Sequence, residues 1–248
     1  MVRETGTVLN ESDIYREWEP PPGWRHAVAC LWEQRVGAAR VQRVLPDGHA
    51  DLLFYGSGEV EIVGVADKVA IPALAEGTVL RGVRLRPAAV GAALRVPGFA
   101  LRNLTVAADD VLGAGPARRL ADPDFLDRWV RGIEPDGRAD AALQLLGAYR
   151  VEDVADLINI SSRHLRRMLL EAGGLAPKAY QQVMRLQRFV TATDAGAPLA
   201  TAAADAGYAD QPHLTREVKR LSGLTPACLV NERRHRFEPP AFQAFLLR

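Results

Sequence analysis

At 248 residues, with 48% hydrophobic side chains, the chain is long enough to bury one large core or two modest ones. Its net charge of +1 singles out no partner, and its two cysteines, Cys30 and Cys228, stand far apart and outside any CxxC or Cys/His cluster, which argues against a disulfide scaffold and a structural zinc site. There is no basic-then-apolar signal pattern at the N-terminus and no apolar run near the ~20 residues of a membrane span, so a soluble, intracellular protein without membrane contact is expected.

Residues 1–19 are polar and mixed, with no strong pattern. Pro20-Pro21-Pro22-Gly23 then blocks regular structure, and the compact part is expected to start there. From about 25 to 86 the chain reads as short strands at 28–32, 40–45, 51–55, 60–65, 68–71 and 79–86, rich in Val, Leu and aromatics. Turn signals separate them: Pro46-Asp47-Gly48, Gly56-Ser57-Gly58 and Glu76-Gly77. This spacing predicts a small antiparallel barrel or sandwich. Pro87 changes the pattern, and 88–94 reads as a short helix. Further helical runs lie between Gly113 and Gly137, including 118–120 and 125–130, and another covers 140–149, with Ala141, Leu145 and Ala148 at helical spacing. Glu134-Pro135-Asp136-Gly137 marks the expected boundary. The division is a β-rich part with a helical linker over 1–137, an all-helical part over 138–236, and a tail over 237–248. The fold class is therefore α+β in two domains.

The helical part repeats itself. Ala155 to Pro177 and Ala204 to Pro226 align without gaps over 23 positions and share eight residues: Ala, Asp, His-Leu, Arg, Gly-Leu and Pro. Each copy reads as a helix, a turn, a capped second helix and a glycine stop, at Gly173-Gly174 and at Gly223. Ser161 or Ser162 is the expected first cap. Between the copies Pro177 opens a long helix through Tyr180, Leu186 and Phe189. The second helix of copy one points Leu165, Met168 and Leu169 inward and leaves Ser162, Arg163, Arg166 and Arg167 outside. Copy two points Leu214, Val218 and Leu221 inward and leaves Gln211, Pro212, Thr215, Arg216, Lys219 and Arg220 available. Charge follows the same division: residues 151–236 carry 12 basic against 9 acidic side chains, and residues 1–150 carry 18 against 20. The sign favours a polyanion at the C-terminal part. A repeated helix–turn–helix presents two similar helices to a ligand that itself repeats, and duplex DNA returns its major groove every turn.

The run from Gly207 to Arg220, GYADQPHLTREVKR, closing with Gly223-Leu224-Thr225-Pro226, resembles the double helix–turn–helix of the AraC/XylS family of transcriptional regulators. Val218 stands where that family usually has Phe, and Leu169 stands at the matching place in the first copy. The resemblance covers about 100 residues. It implies base-reading positions at Arg163, Arg166 and Arg167 and at Gln211, Pro212, Thr215 and Arg216, with Lys219 and Arg220 suited to phosphate. Arg167 and Arg216 are equivalent and carry most weight. His164 and His213 are read as packing or phosphate-facing rather than base-reading. The implied partners are an operator or promoter duplex, a small-molecule effector and a second copy in a homodimer, with RNA polymerase as a further candidate.

The N-terminal part resembles the barrel-like sensor domains of such regulators. It is closer to a poorly characterised subgroup with a Leu-Pro-Asp-Gly element (Leu45–Gly48), a glycine at Gly64 and a Gly-Val-Arg-x-x-Pro run (Gly82–Pro87). Candidate effector contacts are Trp24, Trp32, His49, Phe54, Tyr55, Arg84 and Arg86, with core packing the favoured role for the aromatics. A metal site from His26, His49 and Asp51 lacks a third His nearby, and no metal or cofactor is expected. The absence of Ser/His/Asp, P-loop and GxGxxG patterns argues against an enzyme. The alternatives are an effector-independent DNA binder, or an alkyl-transfer repair enzyme carrying this helix–turn–helix, which needs a reactive cysteine normally held in a multi-cysteine zinc site.

Overall fold

Strand alternation shapes the first half of the chain. The computed structural model describes residues 5–10 and 13–236, so the tail expected at 237–248 lies outside the described residues. Nine strands are described: β1 Thr5–Asn10, β2 Asp13–Trp18, β3 Val28–Arg35, β4 Arg40–Val41, β5 Ala50–Tyr55, β6 Val60–Val63, β7 Ala73–Leu74, β8 Val79–Leu85 and β9 Thr105–Ala107. Seven form one antiparallel sheet in the order β1-β2-β3-β8-β5-β6-β9, and β4 pairs with β7 as a separate ribbon. Leu31, Val83 and Leu52 stand side by side across the sheet, as do Trp32, Gly82 and Leu53 one residue along. Because neighbouring residues point to opposite faces, the sheet has two chemically different sides. One buries Leu52, Ile62, Val83 and Leu85 against Trp24, Val90, Leu94, Val130 and Ile133. The other carries Tyr15, Glu17, Trp32, Asp51 and Arg84.

Several strand expectations need correction. Residues 5–10 and 13–18, expected to lack a pattern, form β1 and β2. Pairing of β2 with β3 through five residue pairs, Ile14↔Arg35 to Trp18↔Leu31, and of β1 with β2 compensates for their polar composition. The strand expected at 40–45 is only two residues long, and 68–71 contributes only a single bridge, Ala70 to Val44. The short β9 was not foreseen.

Eleven helices follow in the described residues: α1 Val90–Leu94, α2 Ala108–Leu112, α3 Ala114–Arg119, α4 Pro123–Arg131, α5 Gly137–Leu145, α6 Val151–Leu157, α7 Ser162–Gly173, α8 Pro177–Asp194, α9 Leu199–Ala206, α10 Gln211–Ser222 and α11 Pro226–Arg236. Asp122 and Asp136 cap α4 and α5, each accepting two backbone N–H groups. Two cores form here. Helices α5, α6 and α7 bury Leu143, Leu146, Val154, Leu165 and Leu169 together with Ala88 from the turn before α1. Helices α8 to α11 bury Leu186, Phe189, Leu214, Val218, Leu221 and Leu229 together with Val65 from the sheet domain. Each helix–turn–helix thus has its own core, and each core takes one fully buried residue from the N-terminal half, the second with Leu45 packed against it as well.

Candidate nucleic-acid interface

The two copies share a plan and differ in detail. In the first, the turn closes with the Ile160 N–H donating to the Ala155 carbonyl at 3.0 Å, and Asn159 takes φ 54°. In the second it closes one residue earlier: the Tyr208 N–H donates to the Ala203 carbonyl at 3.0 Å, and Gly207 takes φ 88°. Ser161, not Ser162, caps α7, its Oγ accepting the His164 N–H at 3.2 Å. Asp210 occupies the same place for α10 and accepts the His213 N–H at 2.6 Å. Both helices end in a left-handed glycine, Gly174 at φ 80° and Gly223 at φ 77°.

Ser162, Arg163, Arg166 and Arg167 all lie exposed on α7, as do Gln211, Pro212, Arg216, Lys219 and Arg220 on α10, with Thr215 half-buried. Arg163, Arg166, Arg167, Arg216 and Lys219 have neither an ion pair nor a side-chain hydrogen bond among the described residues, so they stand ready for an outside acceptor. Arg220 differs, donating to Gln182 Oε1 of α8 at 2.9 Å. An arginine or glutamine in this setting can bond a guanine or adenine edge, whereas lysine serves phosphates.

Helix α8 is the spine on which both copies rest. Gln181 donates to the carbonyls of Leu146 and Tyr149, at 3.2 and 2.8 Å, and Arg188 donates to the Gly147 carbonyl at 2.9 Å. These bonds tie α8 to the loop between α5 and α6. On the other side Arg185 pairs with Glu217 of α10 at 3.0 Å. Glu217 is only 5% exposed, and the sequence left it without a role. It occupies the position that Met168 takes in the first copy. Around this pair the Arg185 guanidinium lies 5.5 Å from the centre of the Tyr208 ring, and Tyr208 meets Phe189 and His213 edge-on. His213 accepts the Ala209 N–H at Nδ1 at 3.3 Å, which leaves Nε2 to face Glu217 at 3.6 Å. The Tyr208 hydroxyl is buried without a hydrogen-bond partner among the described residues, and burial together with the Glu217 charge pushes its pKa well up. His213 is therefore part of the packing, while His164 is exposed. Ungapped alignment of the copies is the signal that could have exposed Glu217, since it sets this residue on an inward row.

The candidate effector residues divide between the two sides of the sheet. Trp24 and Phe54 belong to the apolar side, where the Trp24 indole N–H also donates to Asp127 at 2.8 Å. Trp32, Tyr55 and Arg84 lie on the polar side, with His49 beside them. There the Trp32 indole N–H donates to Asp51 at 2.7 Å, and Arg84 meets Asp51 at 3.2 Å, Glu17 at 3.5 Å and Asp47 at 3.7 Å. Trp32 lies across Gly82, where an added Cβ would come 2.0 Å from the indole, so the glycine is needed for this stacking. Tyr55 donates to Glu61 at 2.6 Å. Burial acts to raise the Asp47 pKa, but Arg84 and the His49 hydrogen bond outweigh it and hold the carboxyl well below the usual carboxylate range. Arg86 lies 3.5 Å from Asp140 of α5. His26 lies apart, its Nε2 3.0 Å from the Ile133 carbonyl, and no group of metal-ligating side chains is found among the described residues. No described helix is long and apolar enough to cross a membrane.

Two capped helices with cationic outer faces, mounted on one spine behind an antiparallel sheet domain, define a double helix–turn–helix module. Residues 154–232 match the family model described as a helix-turn-helix domain. Residues 16–107 match a family described as a domain of unknown function. Over 120 residues the chain is 27% identical to the "Bifunctional transcriptional activator/DNA repair enzyme Ada" of Escherichia coli strain K12, a match covering 48% of this chain and 34% of that protein. The chain thus spans about a third of the length of that curated relative. Among solved structures, ToxT from Vibrio cholerae O395 superposes with a TM-score of 0.40 at 12% identity, over 79% of this chain and 90% of that one. Unsaturated fatty acid-bound wild-type ToxT from strain SCE256 gives 0.39 at 12% identity, over 81% and 93%.

Proposed function

We propose that the chain is a sequence-specific, double-stranded DNA-binding transcriptional regulator. Residues 138–236 read the operator, and residues 1–137 act as a sensor or dimerisation domain. The observation that carries this reading is the pair of capped helices α7 and α10, whose outer cations Arg163, Arg166, Arg167, Arg216 and Lys219 have no partner within the described residues. Arg163, Arg166 and Arg167 read base edges from α7. Gln211, Thr215 and Arg216 do so from α10, where Pro212 has no side-chain donor. Ser162, Lys219 and Arg220 hold phosphates. The polar side of the sheet, with Trp32, His49, Tyr55 and Arg84, is the effector-facing surface.

Selection of duplexes from genomic fragments by the purified full-length protein tests this reading. A defined sequence should emerge, and Arg167→Ala and Arg216→Ala should each weaken binding to it by about 1–3 kcal/mol at fixed salt. Retention of all fragments alike would instead make the protein an effector-independent, non-specific DNA binder. The repair-enzyme alternative has little support. The Cys30 thiol is buried and pushed up to about 12, chiefly by burial, the opposite of what a reactive thiolate requires.

A further inference from the structure

We infer that Arg43, in the sheet domain, is a positioning residue that fixes the geometry of the second recognition helix relative to the first. The inference rests on the DNA-binding reading above. The N-terminal half holds the two recognition helices by different means. Its contact with α7 includes close backbone-to-backbone approaches. A Cβ added at Gly91 would come 2.4 Å from the Glu171 carbonyl oxygen, and one added at Gly98 would come 2.6 Å from the Gly174 nitrogen. Surfaces this close cannot slide without collision, so α7 is set rigidly against the sheet domain.

Among the described residues, the polar contact with α10 is a single long side chain. Arg43 Nη1 donates to the Ser222 carbonyl at 2.6 Å, at the last residue of α10, and its Nε donates to Glu232 of α11 at 3.0 Å. Unpaired carbonyls at a helix C-terminus form the negative end of its dipole, where a cation is favourable. The backbone on either side of Arg43 is fixed: the Gln42 N–H donates to the Pro72 carbonyl and the Val44 N–H to the Ala70 carbonyl, both at 2.9 Å. The Gln42 side chain in turn bonds Gln34 of β3 at 2.6 Å. The guanidinium is therefore presented to α10 from a platform braced against the central sheet. Gln187 on α8 supports the same alignment by donating to the Pro46 carbonyl at 2.7 Å. With α7 immobile and the end of α10 pinned, the spacing between the two reading surfaces is set partly from outside the helix–turn–helix domain.

The test uses the full-length chain and the duplex that wild type selects from genomic fragments. One or two base pairs are inserted between its two footprinted half-sites, and each inserted base pair rotates the second half-site by about 35°. Wild-type affinity should fall at least about tenfold on insertion. Arg43→Ala should lose about tenfold on the selected duplex yet respond little to insertion, and Arg43→Lys, which can still donate to the Ser222 carbonyl, should regain part of the spacing preference. Arg43→Gln, read by the same assay, replaces the alanine variant if that variant does not fold. Wild-type spacing dependence in these variants overturns the inference. An equal loss on every duplex also overturns it, by making the role merely structural. Failure of wild type to select any duplex removes the DNA-binding reading itself, a distinct result.

Discussion

The two helix–turn–helix copies solve one packing problem in different ways. At the position three residues past the first buried leucine of the second helix, the first copy uses Met168 and the second uses Glu217, paired with Arg185. The first copy closes its turn one residue later, with a non-glycine residue at positive φ. It places three arginines on its outer face, where the second has Pro212 and Thr215 at two of the equivalent sites. The first copy thus combines an apolar interior with a strongly cationic exterior. The second keeps an ion pair inside and, at the sites matching those three arginines, only one arginine outside. The two copies share a scaffold and differ in both interior and exterior chemistry.

The largest expected effect concerns that interior difference. Glu217→Ala should cost about 3 kcal/mol in chemical denaturation, because it leaves the Arg185 guanidinium without its counter-charge. Met168→Ala should cost about 2 kcal/mol, from lost apolar volume alone. Arg185→Leu combined with Glu217→Met should restore most of the stability. Equal losses in the two single variants, with no recovery in the double, would erase the distinction between an ionic and an apolar interior.

Next comes the exterior. Arg167→Ala should weaken binding to the selected duplex by about 2 kcal/mol and Arg216→Ala by about 1 kcal/mol, measured by fluorescence anisotropy at one salt concentration. The reverse order would make the second copy the principal reader. Cap removal follows: Ser161→Ala and Asp210→Ala should each cost about 1 kcal/mol of stability by thermal denaturation, with the shorter Asp210 bond at the upper end. The smallest effect is at Lys219. Lys219→Ala should weaken binding equally on all sequences and reduce the slope of log affinity against log salt by about 1. A sequence-dependent loss there would move Lys219 into the base-reading group.

The helical half was largely legible because its signals are local. The 3.6-residue spacing of Leu165, Met168 and Leu169, the glycine stops and the opening prolines at Pro177 and Pro226 each fix a helix without distant information. β1 and β2 were not legible. Polar and apolar residues alternate weakly there, and the strands exist because β3 offers β2 a hydrogen-bonding edge and β2 in turn offers one to β1. The outer cations could be named because exposure follows helical phase. Arg43 could not, since its partners Ser222 and Glu232 lie 179 and 189 residues away in sequence. Glu217 was hidden for a related reason: a carboxylate reads as solvent-facing until its half-buried partner, Arg185, is known.

The sharing of Ala88 and Val65 with the helical cores bears on how freely this reader could be exchanged between proteins. A cut in the chain at residue 137 separates two sequence families, but it does not separate two folding units. A chimera spliced there would join the helices to a foreign surface lacking the complement for Gly173 and Gly174, and it would strand an alanine-sized gap in one core and a valine-sized gap in the other. Gene fusion and recombination should therefore favour keeping the whole chain together over a junction at the apparent linker.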